Sequence, residues 1–353
     1  MKKIVFLIVI SFLCIVKVDA APMEIVMDAD SGRVLYGKNI NQKELIASTT
    51  KIMTALVVIK NLDLDKKIKV GEEVNDAYGS AIYIKEKEII SGRDLLYGLL
   101  LRSGNDAALT LAKEVGGSAE GFTKMMNETA FGLGMKDTIF LNPHGLDEDG
   151  GNISTVYDMA LLMREAMQYD VFKKITSTRR HTVKTNFNIY DWYNKNKLLS
   201  SYKYATGGKI GYTKKAKHTF VSSAMKDGKK LIVVTFKDEN QFKRHEELYE
   251  TYFKKYKLYK IIDKDNININ YDDNYKLFTL ENSYMLLSKE EKKKVNRIVT
   301  FYNNIKCDKT CSIGTIEIKI GNESLRKANI YATKIEDKKE NIIDKIRKWC
   351  KFM

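Results

Sequence analysis

Hydrophobic and polar positions along this chain switch between two periods, and the switches mark its organisation. Glu24 to Asp28 and Arg33 to Tyr36 are short β-prone runs separated by Asp30-Ser31-Gly32, a turn sequence, so the pattern predicts an opening hairpin. From Ser48 to about Leu62 the pattern is helical. Ile52, Met53, Leu56, Val57 and Ile59 place apolar groups on nearly every face, as expected of a helix buried inside a domain. Asp94 to Leu101, Asn105 to Val115, Phe122 to Leu133 and Thr155 to Met167 also read as helices, the last behind a Ser154-Thr155 cap signal. Strand character returns at His218 to Ala224 and Lys230 to Phe236, which flank the turn Lys226-Asp227-Gly228-Lys229. Strands at both ends of a helical middle predict one sheet assembled from the two termini of a single α/β domain. A helix from about Asn240 to Tyr259 would close it, with Phe242, Tyr249, Tyr252, Phe253 and Tyr256 on one side. Beyond Asp263 short alternating runs such as Ile267-x-Ile269-x-Tyr271 and Ile316-x-Ile318-x-Ile320 predict a small β domain. Asn341 to Met353 has apolar residues at helical spacing and four basic residues, Lys345, Arg347, Lys348 and Lys351, with no acid among them, the pattern of an interfacial amphipathic helix; a helix packed back on the β domain is the competing reading.

Composition narrows the picture. The chain has 353 residues, 44% of them hydrophobic, enough to bury a real core and about two domains long. Its two prolines, Pro22 and Pro143, exclude a Pro-rich linker. Lys2-Lys3 precede an apolar run, Ile4 to Val16, that ends in Val18-Asp19-Ala20, which reads as a signal peptide with a small-residue cleavage site. The run falls short of the ~20 apolar residues of a spanning helix. The formal net charge of +15 then points, outside the membrane, to anionic lipid headgroups or wall polymers and not to nucleic acid. Of the four cysteines Cys14 lies in the signal peptide, which leaves Cys307, Cys311 and Cys350, an odd set with no zinc spacing. A local bridge across the Cys307 to Cys311 turn and free surface thiols are both open.

The candidate chemistry lies in three places. Ser48-Thr49-Thr50-Lys51 sets a hydroxyl and an amine one helical turn apart on one face. Serine is a weak nucleophile until a base assists it, and a lysine becomes that base only when burial or a neighbouring cation lowers its pKa. Ser200, Ser223 and Ser324 also satisfy S-x-x-K, but only Ser48 opens a long apolar helix able to hold the pair rigidly. Ser103-Gly104-Asn105, the one S-x-N in the chain, lies between two expected helices, where a glycine turn can aim a hydroxyl and an amide into a cleft. Taken singly it is a helix cap. Lys209-Ile210-Gly211 precedes the second hairpin and offers a cation beside an edge that a substrate backbone can approach. His144 has no paired ligand among the four histidines and reads as a loop residue after Asn142-Pro143. No motif calls for a cofactor or metal.

Together and in order, these elements resemble the S-x-x-K, S-x-N and K-T-G set of penicillin-recognising serine enzymes. The stretches Ala47 to Ala55, Ser103 to Ala108, Asn142 to Leu146 and Tyr157 to Ala160 are similar to the low-molecular-weight D-alanyl-D-alanine carboxypeptidases. The resemblance implies an α/β, transpeptidase/β-lactamase-like domain, an antiparallel sheet with a helical subdomain, followed by a small β-rich domain and a C-terminal amphipathic helix. The expected organisation is a signal peptide at 1–20, the catalytic domain at 21–262, the β-rich domain at 263–333 and a membrane-associating helix at 334–353, on the outer face of the cytoplasmic membrane. The implied substrate is the peptidoglycan stem peptide, with β-lactams as covalent inhibitors. Carried over, Ser48 attacks the penultimate D-Ala carbonyl, Lys51 is the general base, and Ser103 with Asn105 relays protons and orients the peptide. Lys209 faces the terminal carboxylate, and the backbone N–H groups of Ser48 and Tyr212 form the oxyanion hole.

One position departs from that set: Ile210 stands where the third motif has Thr, so a hydroxyl donor to the terminal carboxylate is missing. Weakened carboxylate recognition follows, with Arg244 or Lys214 as substitutes. Three other functions share this chemistry or this surface. A cross-link endopeptidase would use the same acylation on a bulkier peptide, and a weakly active peptidoglycan-binding homologue is suggested by Ile210. A β-lactamase would need faster deacylation, for which no residue is evident.

Overall fold

The computed structural model describes residues 22–147, 150–267, 269, 271–272, 274–303, 305 and 309–335. The expected signal peptide at 1–20 and the basic amphipathic stretch at 341–353 lie outside the described residues. Two compact units are present.

The first unit holds 34–224, 232–246 and the start of the described chain up to Met27. Strands β1 (Met23–Asp28), β2 (Val34–Lys38), β3 (Ala205–Thr213), β4 (Lys217–Lys226) and β5 (Lys229–Phe236) form one sheet in the order β2-β1-β5-β4-β3. Residues from both ends of the expected α/β domain therefore build one sheet. Strand β3 is an edge, antiparallel to β4, with Ile210 opposite Phe220 and Gly211 opposite Thr219. Every residue of β1 is buried, so the sheet is covered on both faces.

Helix α1 (Lys51–Asn61) is buried from Lys51 to Val58. After α2 (Gly92–Tyr97) the chain continues through a π-helical turn, Gly98–Arg102, to Ser103. Helices α3 (Asn105–Gly116), α4 (Ala119–Gly132), α5 (Val156–Ala166) and α6 (Asp170–Ser177) pack around α1. The cap expected for α5 is present, since the Thr155 side chain accepts from Asp158 N–H at 3.0 Å. Absent from the sequence reading were α6 and a hairpin, Arg180–Lys184 with Ile189–Tyr193, although Tyr190 and Trp192 carry the alternation of a half-buried strand.

Helix α7 (Gln241–Lys255) stops short of the expected Tyr259, because Lys257–Ile262 pairs instead with Ser283–Leu287. The start of α7 is bound through His245, buried between Ser222 Oγ at 2.7 Å and Thr235 Oγ1 at 3.0 Å. Burial, reinforced by Arg244, holds this imidazole well below its ordinary pKa, so it is neutral.

The second unit takes in the described residues from Glu247 to Ile335 with 28–33 and 225–231. Its four-stranded antiparallel sheet has the order Tyr275–Phe278, Glu323–Lys334, Thr310–Ile320, Val295–Phe301, and its core includes Ile262, Leu277, Leu287, Ile316, Ile318 and Ile330. Ile267 and Ile269, expected in a strand, lie in irregular chain and still pack on that core. Cys311 is disulfide-bonded, which removes the free-thiol alternative for that residue.

Candidate active site

The site is built around the turn before α1. Ala47–Thr50 forms a single 3₁₀ turn, so Ser48 sits just ahead of the α-helix and Lys51 is its first residue. Ala47 has φ +46, a left-handed conformation costly for a residue with a Cβ, and such strain clusters at functional positions. Thr49 and Thr50 fasten the turn by donating to the carbonyls of Ile46 (2.5 Å) and Ala47 (2.8 Å).

Lys51 is fully buried, and its Nζ lies 3.2 Å from Ser48 Oγ. The amine donates to Asn105 Oδ1 at 2.7 Å and to the His144 carbonyl at 2.5 Å. Burial, with the charges of Lys209 and Lys195, holds it well below the ordinary lysine pKa, against an opposing pull from Asp106. A neutral amine has two N–H groups and one lone pair. Both carbonyl oxygens can only accept, so they take the two N–H groups and leave the lone pair for the Ser48 hydroxyl. This is the arrangement a general base requires.

Each carbonyl is itself held. Asn105 donates its backbone N–H to Ser80 O at 2.7 Å and its Nδ2 to Tyr78 O at 2.6 Å, which fixes Oδ1 toward Lys51. The loop carrying His144 is braced by Asn152, whose Oδ1 accepts from Leu141 N–H (2.7 Å) and whose Nδ2 donates to Thr50 Oγ1 (2.9 Å). Thr54 Oγ1 donates to Pro143 O at 2.6 Å. At Gly145 (φ +89) a Cβ would stand 2.0 Å from the Ala47 carbonyl, so only glycine allows this loop to meet the Ser48 turn. Burial, then the nearby Lys51 charge, holds the His144 imidazole down to about 4, and its Nδ1 accepts from Leu146 N–H. His144 thus acts through its backbone.

The structure brings the sequence-derived residues together unevenly. Ser103 has φ +66 at the end of the π-helical turn and is a buried residue. Gly211 lies against the Ser48 turn: a Cβ there would be 2.9 Å from Ser48 N, which places the strand carrying Tyr212 beside that amide. Lys209 is 3% exposed, and its Nζ donates to the carbonyl of its neighbour Ile210 at 2.7 Å. Burial, then Lys195, brings Lys209 down to about 7. Arg244, expected as a substitute for the missing threonine, is corrected: its guanidinium grips buried Glu24 of β1 with two 2.7 Å hydrogen bonds. Lys214 is exposed in the β3–β4 turn.

Sequence reasoning missed Lys195, whose charge bears on both Lys51 and Lys209 and whose Nζ donates to Ser80 Oγ at 3.3 Å. No spacing marks it. Asn152 also escaped notice, because a lone asparagine before a short strand carries no pattern of its own.

A hydroxyl with a neutral, oriented amine, beside an edge strand of an α/β sheet, defines a serine acyl-transfer enzyme of the penicillin-recognising type. The sequence profile of the Peptidase_S11 family, D-alanyl-D-alanine carboxypeptidase, matches residues 16–240, and the chain belongs to that family. It is 32% identical over 355 residues to D-alanyl-D-alanine carboxypeptidase DacF of Bacillus subtilis, covering 94% of this chain and 90% of that protein. To D-alanyl-D-alanine carboxypeptidase DacB2 of Mycobacterium tuberculosis it is 39% identical over 210 residues, 59% of this chain and 72% of that one. The crystal structure of penicillin binding protein 5 from Haemophilus influenzae superposes with a TM-score of 0.73 at 25% identity, over 88% of this chain and 96% of that chain. Among the described residues no helix is long and apolar enough to cross a membrane.

Proposed function

We propose that this chain is an exported serine carboxypeptidase that removes the terminal D-Ala from peptidoglycan stem peptides through an acyl-enzyme on Ser48. The Ser48 oxygen bonds to the penultimate D-Ala carbonyl carbon while its proton passes to the Lys51 lone pair. The tetrahedral oxyanion is received by the N–H groups of Ser48 and Tyr212, where one such donor is typically worth ~10²–10³ in rate. Collapse breaks the C–N bond, and the leaving amine takes its proton from Lys51 by way of the Ser103 hydroxyl. Water then attacks the ester and restores Ser48. Lys209 meets the terminal carboxylate without the hydroxyl that Ile210 lacks.

One observation carries this reading: the buried Lys51 amine is tied by two carbonyls, 3.2 Å from Ser48 Oγ. A fluorescent penicillin should label the protein at Ser48, mapped by peptide mass spectrometry, and a D-Ala-D-Ala peptide should release D-Ala. In Ser48→Ala both should fall by at least ~10⁴-fold. Label on another residue, or undiminished D-Ala release, would overturn it. The basic segment 334–353 would hold the enzyme on an anionic membrane surface. Flotation with anionic liposomes should be lost on removing 341–353, and equal flotation of both forms would reject the anchor.

A further inference from the structure

We propose that Asp106 is a positioning residue for acylation, locking the segment 78–84 so that this segment in turn holds the Asn105 amide against Lys51. The inference rests on the Ser48 and Lys51 roles above.

Asp106 is 2% exposed and has no cation within salt-bridge distance among the described residues. A buried carboxylate without a counter-ion is costly unless hydrogen bonds satisfy it. Its oxygens accept from the backbone N–H groups of Ile82 (3.0 Å), Tyr83 (2.7 Å) and Ile84 (3.3 Å), and from Ala107 (2.9 Å). An acid in the first turn of a helix ordinarily serves its own helix. Here only Ala107 belongs to α3, while the other three donors lie in a separate segment more than twenty residues earlier.

That segment is bent in a way that needs holding. Tyr83 has φ +64, left-handed and unfavourable for an aromatic residue, and its N–H makes the shortest of the four bonds. The other end of the same segment takes both Asn105 donors, at Ser80 O and Tyr78 O. Position 79 is glycine with φ +79, and a Cβ there would stand 3.3 Å from Asn105 Nδ2. Asp106 and Asn105, adjacent in sequence, therefore grip the two halves of one strap. Were the strap released, the Asn105 amide would lose the acceptor that keeps Oδ1 aimed at Lys51.

The carboxylate also acts on the base through its charge. Around Lys51 stand the cations Lys209 and Lys195, the neutral His144 and this one acid, which alone among them raises the amine's pKa. Lys51 must be neutral to accept the serine proton, so acylation rises with pH through its titration. Loss of the acid moves that rise to lower pH.

The test is Asp106→Asn, which keeps the shape but removes the charge and points an NH₂ at backbone donors. Penicillin acylation per folded molecule should drop about 100-fold, the scale of a 1 Å misplacement, with the acid limb displaced to lower pH. Tyr83→Gly, which removes the left-handed penalty, should restore part of the rate in the double variant. Unchanged acylation, or a loss that tracks only the folded fraction with the limb unmoved, would overturn the role. Independently of any variant, amide exchange in the parent enzyme should show Ile82, Tyr83 and Ile84 protected; loop-like exchange there would also overturn it. If the parent itself takes no label on Ser48, the reading of the site fails and this inference with it.

Discussion

The two sides of the catalytic cleft are built to different standards. On the helical side the groups that orient Lys51 are themselves held: the amine by Asn105 and His144, the Asn105 amide by Tyr78, the His144 loop by Asn152 and Thr54. On the strand side Lys209 leans on the carbonyl of its own neighbour, and Ile210 offers no hydrogen bond from its side chain. Preorganised groups cost nothing to arrange at the moment of reaction, so the helical side is ready for acylation. In the proposed mechanism the strand side must still rearrange to meet a carboxylate. On the proposed roles of Lys209 and Ile210, the difference puts the weak point in substrate recognition, away from the nucleophile.

The sharpest way to break the contrast is to spoil the helical side from a residue that makes no chemical step. Gly145→Ala would drive a Cβ to 2.0 Å from the Ala47 carbonyl and 2.9 Å from Thr50 Oγ1. It also forces an L side chain into φ +89, a strained conformation. The His144 carbonyl and the Ser48 turn cannot both stay in place. Penicillin acylation measured per folded molecule should fall by about 10²-fold or more. A rate within a factor of two of the parent would show that the helical side tolerates displacement, and the comparison would lose its meaning.

The next effect runs in the opposite direction. Ile210→Thr should raise kcat/KM for a D-Ala-D-Ala peptide about tenfold to hundredfold, since a hydrogen bond to a charged group is worth ~1.5–3 kcal/mol. The gain should be confined to substrates with a free terminal carboxylate. An equal gain on a peptide ending in an amide would mean that the strand had merely been reshaped. No gain on either would mean that Lys209 and Lys195 already suffice.

How far the site was legible follows the same division. Ser48 with Lys51, and Ser103 with Asn105, could be picked out as pairs because each lies within one turn, a distance that local pattern records, whereas the Lys51–Asn105 contact that joins the pairs spans 54 residues and was implied only by the family resemblance. The central sheet was visible for a similar reason, as two hairpins with turn signals. What failed involved partners far along the chain. Arg244 was free in sequence but is taken by Glu24, 220 residues earlier. The end of α7 was misplaced because Lys257–Ile262 finds its strand partner at Ser283–Leu287, and helical periodicity cannot weigh that competitor. Lys195 is the clearest case: its importance is electrostatic, and charge acts through space without leaving a spacing.

Lys195 also supplies the smallest and most specific test of the contrast. Its charge lowers both amines, Lys51 on the helical side and Lys209 on the strand side. The two are needed in opposite states. Lys51 works as the neutral base, so activity rises as pH climbs through its titration. Lys209 meets a carboxylate as a cation, so kcat/KM falls as pH climbs through about 7 in the free enzyme. Replacing Lys195 with Met removes a neighbouring positive charge from both, and each amine then holds its proton to higher pH. Both limbs of the kcat/KM profile should therefore move upward together, by less than a full unit because the removed charge is half-buried and solvent screens it. With penicillin acylation, read as rate against pH, the acid limb should move by the same amount. Were the alkaline limb to stay in place while the acid limb moved, Lys209 would not be the group that meets the carboxylate, and the strand side would owe its recognition to some other residue.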